Sequence, residues 1–327
     1  MSSNVTIFGA GSWGTALSVH LASSGRNVTL WARRQEQTNR IRETRRNPKY
    51  LSDVDIPESV RVTSDIEEAA KSASMWAVAV PSQKLRDVVE KMRPHQQYAN
   101  TVVSLAKGID SATLMTMTEV LDGMFGAVPQ THTGVLHGPS HSEEVAQGLP
   151  TTVVAAAPKR KVAENIQNTF MADNLRVLPS TDVTGVEIGG AATNVLAIAA
   201  GISDGIGYGD NSKASIITRG FSEIRELGKA MGASSQTFNG LAGLGDLVAT
   251  CMSGHSRNRY VGEQLGRGKD LDQIREDMSM IAEGVPTTHA IRGLADRYDL
   301  DMPITERVYT ILFEGERSSE NPDPMLE

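Results

Sequence analysis

"VTIFGAGSWGTAL", residues 5–17, is the stretch that decides the fold. A short run of β-branched and aromatic residues passes into Gly9-x-Gly11-x-x-Gly14, and the residues after it carry apolar positions at helical spacing. Strand, glycine turn and helix in that order open a dinucleotide-binding βαβ unit. The first glycine permits a tight turn, the second a close approach of backbone to a pyrophosphate, and the third close helix–strand packing. The helix start, which contains Ser12 and Trp13, adds N–H groups and the positive end of the helix dipole. A second strand, "VTLWA" (28–32), ends where an NAD site usually carries an acidic residue for the ribose hydroxyls. Arg33 and Arg34 stand there instead, and arginine pairs with a 2′-phosphate. The pattern favours NADP; in the alternative, one arginine stacks on adenine and NAD is used as well.

Outward from this unit the same rhythm continues. Strand-like runs recur at "VRVT" (60–63), "MWAVAV" (75–80), "TVVSLA" (101–106), "TGVLHG" (133–138) and "TTVVAAA" (151–157), with helical patterns between them. Strands alternating with helices predict a parallel sheet covered on both faces, an α/β doubly wound architecture of Rossmann type. From about residue 186 strand-like runs cease and helical stretches follow, at 216–233, 257–268 and 287–299. The change predicts a dinucleotide-binding domain over 1–185 and an all-α substrate domain over 186–327.

Bulk properties narrow the function class. The 327 residues carry a net charge of −7, which argues against a nucleic-acid binder. A single cysteine, Cys251, allows no internal disulfide and suits a reducing compartment. The N-terminus runs straight into the first strand pattern without a signal-peptide layout, and the apolar stretch 186–207 is interrupted by Glu187, Thr193, Asn194 and Asp204. A cytoplasmic protein without membrane insertion is expected. His137 and His141 lie four apart across turn residues, a spacing that matches no metal motif, so no metal is expected.

Several segments beyond the glycine loop carry polar groups suited to a ligand. "SLAKGID" (104–110) sets Lys107 directly after a strand, at the edge where doubly wound sheets bind ligands. In "LHGPSHSEEV" (136–145), Gly138 opens a turn; Ser140 with Glu143 could form a capping box, and a capped helix start is also an anion site. "LAGLGDLVATC" (241–251) places Asp246 at the start of an apolar helix. Ser256, Arg257 and Asn258 form either a cap with a surface arginine or a hydroxyl, guanidinium and amide set for one phosphate. Glu283 lies in the turn "MIAEGVPT" (280–287), and the basic run 40–50 reads as a solvated face.

Taken in order, "GAGSWGTAL", "NPKYL", "VPSQ", "AKGI", "GPS", "GISDGIGYGDNSKASIITRG", "LAGLGDLVATC", "SRNR" and "AEGVPT" resemble the bacterial NAD(P)-dependent sn-glycerol-3-phosphate dehydrogenase family over nearly the whole chain. The resemblance implies a homodimer that interconverts dihydroxyacetone phosphate and sn-glycerol 3-phosphate and so feeds glycerophospholipid synthesis. It implies Ser12, Trp13, Arg33 and Arg34 at the dinucleotide, with Ile281 and Glu283 closing over it. Lys107 falls where cofactor and substrate meet. Gly138, Ser140, Asn194, Asp246, Ser256, Arg257 and Asn258 fall at the substrate, Arg257 also near the cofactor. Ser142 takes a position where many relatives have alanine, which leaves its backbone as the contact.

One position departs from the family. Relatives carry a lysine directly before the asparagine of "EIGGAATNV" (187–195), taken as the proton acceptor, and here Thr193 occupies it. A threonine hydroxyl brings no charge and does not titrate near neutrality. Loss of a general acid–base group lowers rate by roughly 10²–10⁴-fold. Lys107 is the best candidate to take over, with Lys213 a second. Three readings stay open from sequence: a dehydrogenase with full or residual activity, a crippled enzyme that still binds, and a non-catalytic NAD(P)H-binding homologue with a sensing or structural role.

Overall fold

The computed structural model describes residues 4–126, 130–278 and 282–316. The chain folds as two compact units, Met1–Ala106 with Met117–Val183, and Lys107–Thr116 with Thr184–Glu327. In the first, strands and helices follow one another as β1 (Asn4–Phe8), α1 (Ser12–Ser23), β2 (Asn27–Trp31), α2 (Gln35–Thr44), β3 (Arg61–Thr63), α3 (Ile66–Lys71), β4 (Met75–Val78) and α4 (Leu85–Met92). They continue as β5 (Thr101–Ser104), α5 (Met117–Phe125), β6 (His132–His137), α6 (Ser142–Ala146), β7 (Thr151–Ala156), α7 (Arg160–Phe170) and β8 (Leu175–Ser180). The sheet order is β3-β2-β1-β4-β5-β6-β7-β8. All neighbours are parallel except β6 and β7. The expected doubly wound sheet is present, with β8 as an edge strand that carries Pro179. Sequence patterning passes over β8 because proline argues against a strand; an edge tolerates it, since no further strand needs its missing N–H.

Period-two alternation explains why helices cover both faces. Val5 and Ile7 point into a core with Leu17 and Leu21 of α1 and Ile166 and Phe170 of α7. Phe8 points the other way, into a core with Trp31, Trp76, Val89 and Phe125. There the Phe8 and Trp76 rings meet edge to face at 5.4 Å, and Trp76 meets Phe125 at 6.3 Å. Burying side chains of this size contributes about 1.5–3 kcal/mol each. Thr6 on the same face is satisfied by donating to the Ala69 carbonyl at 2.9 Å. The strand order reverses between β1 and β4, so the loop after β1 opens at the topological switch point of the sheet.

The second unit is helical: α8 (Val183–Ile206), α9 (Asp210–Ala230), α10 (Ser235–Phe238), α11 (Asp246–Met252), α12 (Arg257–Gly266), α13 (Leu271–Asp277), α14 (Gly284–Tyr298) and α15 (Pro303–Phe313). Among the described residues α8 alone is long and apolar enough to cross a membrane, and its apolar window is wholly buried within the protein. A helix apolar all round needs such a surrounding. It meets α12 backbone to backbone. A Cβ on Gly201 would lie 2.1 Å from the Arg259 carbonyl oxygen, and one on Gly262 would lie 2.0 Å from that of Ile198. One turn on, Gly205 and Gly266 repeat the arrangement. A π-type turn, Leu241–Gly245, leads into α11, whose Cys251 is buried among the apolar residues. Burial and then the Asp246 charge push the Cys251 thiol up to about 12. Glu223 of α9 caps α15, accepting from the Ile304 and Thr305 N–H groups at 2.7 and 3.1 Å. The segment Lys107–Thr116 packs with this unit, where Ser111 donates to the Pro286 carbonyl at 3.3 Å.

Candidate functional site

The glycine loop of the first unit is built as its sequence requires, with one informative asymmetry. Gly9 has φ +124°, and a Cβ there would sit 2.3 Å from the Ala79 carbonyl oxygen; one on Gly14 would sit 1.9 Å from the Gly9 carbonyl oxygen. Both glycines are therefore demanded by the protein itself. At Gly11 a Cβ would meet nothing within 4 Å. The protein leaves that space open, and the first turn of α1 has neither an acidic residue nor a side-chain cap. Room beside Gly11 and a helix start without negative charge fit a dinucleotide pyrophosphate. Ser12 is buried and donates to the Tyr50 carbonyl at 2.8 Å, whereas Trp13 is half-buried against the α1 face of the core. Arg33 and Arg34 are exposed just beyond β2, and Arg34 reaches the Tyr50 hydroxyl at 3.5 Å.

The loop is held from outside by residues that sequence reasoning did not assign. Asn47 is buried and donates to the Ala10 carbonyl at 3.0 Å and to Thr15 Oγ1 at 2.8 Å. Gln37 of α2 donates to the same Ala10 carbonyl at 2.7 Å. The basic run 40–50 is thus not a uniformly solvated face. Arg45 turns inward to the carbonyls of Ile56, Pro57 and Val60, and Asn47 pins the turn between β1 and α1. The signal available was the asparagine inside a charged run.

Around Gly138 the structure corrects one expectation. Gly138 has φ +140°, a backbone conformation reserved for glycine. Ser140 donates to the Gly138 carbonyl at 2.9 Å, and the cap position of α6 is His141, with no side-chain cap. The Ser140–Glu143 capping box does not form, because the turn begins one residue later. Ser142 is buried at the start of α6, which packs on α1. His137 is buried with Nε2 3.1 Å from the Ala106 carbonyl oxygen.

In the second unit, α8, α11, α12 and the segment that opens with Lys107 bring five polar residues into one hydrogen-bonded group, which ends on the backbone at the start of α14. Lys107 Nζ lies 2.8 Å from both carboxylate oxygens of Asp246, whose side chain is 2% exposed. Thr250, one turn along α11, donates to Asp246 at 3.4 Å; the i,i+4 spacing in "DLVAT" was the signal for it. Asn194 Nδ2 lies 3.5 Å from the Lys107 carbonyl oxygen, and its Oδ1 accepts from Asn258 Nδ2 at 2.7 Å. Asn258 Oδ1 in turn accepts from the Gly284 N–H at 2.9 Å. Ser256 caps α12 by accepting from the Arg259 N–H at 3.2 Å, and Arg257 is exposed in the first helical turn. Glu283 stands at the cap position of α14, half-buried. Ile281 lies outside the described residues.

Thr193 sits mid-helix, one residue before Asn194, and is 1% exposed. Its Oγ1 donates back to the Gly190 carbonyl at 3.2 Å. Lys213 belongs to a different group and pairs with Asp204 at 2.9 Å and Asp210 at 3.2 Å.

Comparison with known proteins gives a consistent result. A family model described as the NAD-dependent glycerol-3-phosphate dehydrogenase N-terminus matches residues 4–163, and its C-terminal counterpart matches 182–323. A glycerol-3-phosphate dehydrogenase [NAD(P)+] of Salinibacter ruber is 59% identical over 326 residues, covering 100% of this chain and 95% of its own. A protein of the same name from Chlorobium phaeobacteroides is 48% identical and covers 95% of this chain and 93% of its own. The crystal structure of glycerol-3-phosphate dehydrogenase from Coxiella burnetii superposes with a TM-score of 0.94 at 33% identity, covering 100% of this chain and 99% of that one.

Proposed function

The chain belongs to the NAD-dependent glycerol-3-phosphate dehydrogenase family, and on that premise we propose how its residues divide the work. The protein is an NAD(P)-dependent oxidoreductase that interconverts dihydroxyacetone phosphate and sn-glycerol 3-phosphate. The relatives give no support to a non-catalytic role. Gly9, Gly11 and Gly14 shape the dinucleotide turn, and the family resemblance assigns Ser12, Trp13, Ile281 and Glu283 to the same ligand. Arg33 and Arg34, both exposed beyond β2, receive a 2′-phosphate, so NADP is preferred and NAD accepted. Gly138, Ser140 and the backbone of Ser142 contact the ligands, and Ser256, Arg257 and Asn258 take the phosphate monoester.

A nicotinamide, when bound, would supply or accept the hydride. What remains for the chain is a proton. A carbonyl that gains hydride becomes an alkoxide and needs an acid; the reverse direction needs a base. The observation that carries the assignment is the Lys107–Asp246 pair, an ammonium held at 2.8 Å by both oxygens of a buried carboxylate in the same group as Asn194 and Asn258. Lys107 holds the proton and Asp246 fixes its position. Thr193 does not take this part, since its hydroxyl is neutral and engaged within its own helix. Around this chemistry we place a homodimer that feeds glycerophospholipid synthesis in the cytoplasm; the single cysteine supports only the last, since it suits a reducing compartment.

The test is a turnover assay of this chain beside Thr193→Lys, with NADPH and dihydroxyacetone phosphate. The variant is expected to gain about 10²-fold or more in kcat, while dinucleotide affinity stays within about twofold. Equal rates would show that Thr193 costs the enzyme nothing. Slow turnover by this chain that survives Lys107→Met would remove Lys107 from the proton step.

A further inference from the structure

An ion cluster stands behind the Ser256–Arg257–Asn258 stretch, and the proposed chemistry does not use it. Asp204, in the last turn of α8, accepts on Oδ2 from Arg259 Nε at 2.8 Å, and Arg259 Nη2 lies 2.7 Å from the same oxygen. Its Oδ1 accepts from Lys213 Nζ, in the first turn of α9, at 2.9 Å. The three side chains are only 13–24% exposed. One carboxylate therefore ties the ends of α8, α9 and α12 together, with two guanidinium nitrogens on one oxygen and an ammonium on the other.

Arg259 has a second task. Its backbone N–H is the donor to the Ser256 cap at 3.2 Å. Whatever fixes the Arg259 side chain also fixes the cap, and with it the direction of Arg257 and Asn258. The local charge makes such a restraint necessary. The first turn of α12 contains Arg257 and Arg259 and no acidic residue, which opposes the positive end of the helix dipole. Two cations at a helix start draw in an anion but destabilise the turn that presents them. Asp204 neutralises one of them from behind. Arg257 stays exposed.

We infer that Asp204 is a positioning residue for the phosphate end of the substrate: through Arg259 it holds the first turn of α12, so that Ser256, Arg257 and Asn258 present one fixed donor set to a phosphate monoester. The inference rests on the reading of this stretch as the phosphate site. Asp204 touches neither substrate nor cofactor in this scheme. Its effect travels through the guanidinium and the cap.

Asp204→Asn keeps the shape and removes the charge. The experiment compares this variant with the parent chain on dihydroxyacetone phosphate and on dihydroxyacetone, which lacks the phosphate. KM for dihydroxyacetone phosphate is expected to rise about tenfold with kcat changed less than about twofold, and kcat/KM for dihydroxyacetone to stay level. Arg259→Lys, which keeps a cation but loses the two-point grip, should show the same split, and Asp204→Glu should restore part of the loss. Calorimetric binding of sn-glycerol 3-phosphate gives the same comparison without turnover. A parallel fall for both substrates, or unchanged affinity for the phosphorylated ones, would overturn the positioning role. If the parent chain itself binds no sn-glycerol 3-phosphate, the phosphate-site reading falls first and the inference with it.

Discussion

Lys107 and Asp246 hold each other at 2.8 Å, one partly open to solvent and the other almost fully enclosed. Removing one partner of such a pair is far costlier than removing both, because the survivor stays buried without compensation. Lys107→Met is therefore expected to lower stability by about 3 kcal/mol, and the double variant Lys107→Met/Asp246→Asn to recover most of that loss. Both should be catalytically poor. Urea denaturation of the three chains checks the first statement, and a failure of the double variant to recover would mean that Lys107 acts through packing. At this same scale the sequence was uneven as a guide. Lys107 and Asp246 stood out by position at a strand end and a helix start, but their union could not be read, since 139 positions separate them. Asn194 was legible beside Thr193; the Asn194–Asn258–Gly284 chain needed three helices in place.

Among the elements, the crossing of α8 and α12 bears most on the site. Gly201 and Gly205 on one helix face Gly262 and Gly266 on the other, so the backbones touch and Asn194 and Asn258 come within 2.7 Å. A methyl group on Gly262 would have to displace the Ile198 carbonyl, which rigid helix backbone resists. Gly262→Ala should cost about 3 kcal/mol, and its effect on substrate affinity should exceed that of an alanine at exposed Gly254. Thermal melts with substrate titration test both parts. The Asp204 tether at the far end of that crossing also predicts an acid limb. Burial raises the Asp204 carboxyl, but the Lys213 and Arg259 contacts outweigh it and bring it below its ordinary value of 3.8. A depressed carboxylate contributes stability above its unfolded value, and that contribution disappears as pH falls through the folded value. Acidification below about pH 4 should therefore destabilise the parent chain more steeply than Asp204→Asn. A melting temperature that falls equally in both chains would refute it. Of these features the sequence showed the long apolar run of α8 and the glycines, but not their pairing, because small residues at i,i+4 carry no label for their partner.

For the molecule as a whole, periodicity made the architecture readable. The glycine loop, the alternating strands and the loss of strand pattern near 186 follow from local chemistry, and the sheet and the helical unit are there. What local chemistry missed was long-range or exceptional: β8 with its proline, the antiparallel step from β6 to β7, and the Lys107–Thr116 segment that packs with the helices. The lone thiol of Cys251 adds one practical consequence. It is enclosed near the C-terminal end of α11, the helix that begins with Asp246, and is pushed up to about 12 by burial, so almost none is thiolate at neutral pH. The native chain should resist thiol-labelling reagents, and any label that does attach has nowhere else to go. The rate of labelling then serves as a built-in clock for the opening of the helical unit, readable without introducing a probe. Ligands that close that unit should slow it, and rapid labelling of the fully native protein would contradict the burial.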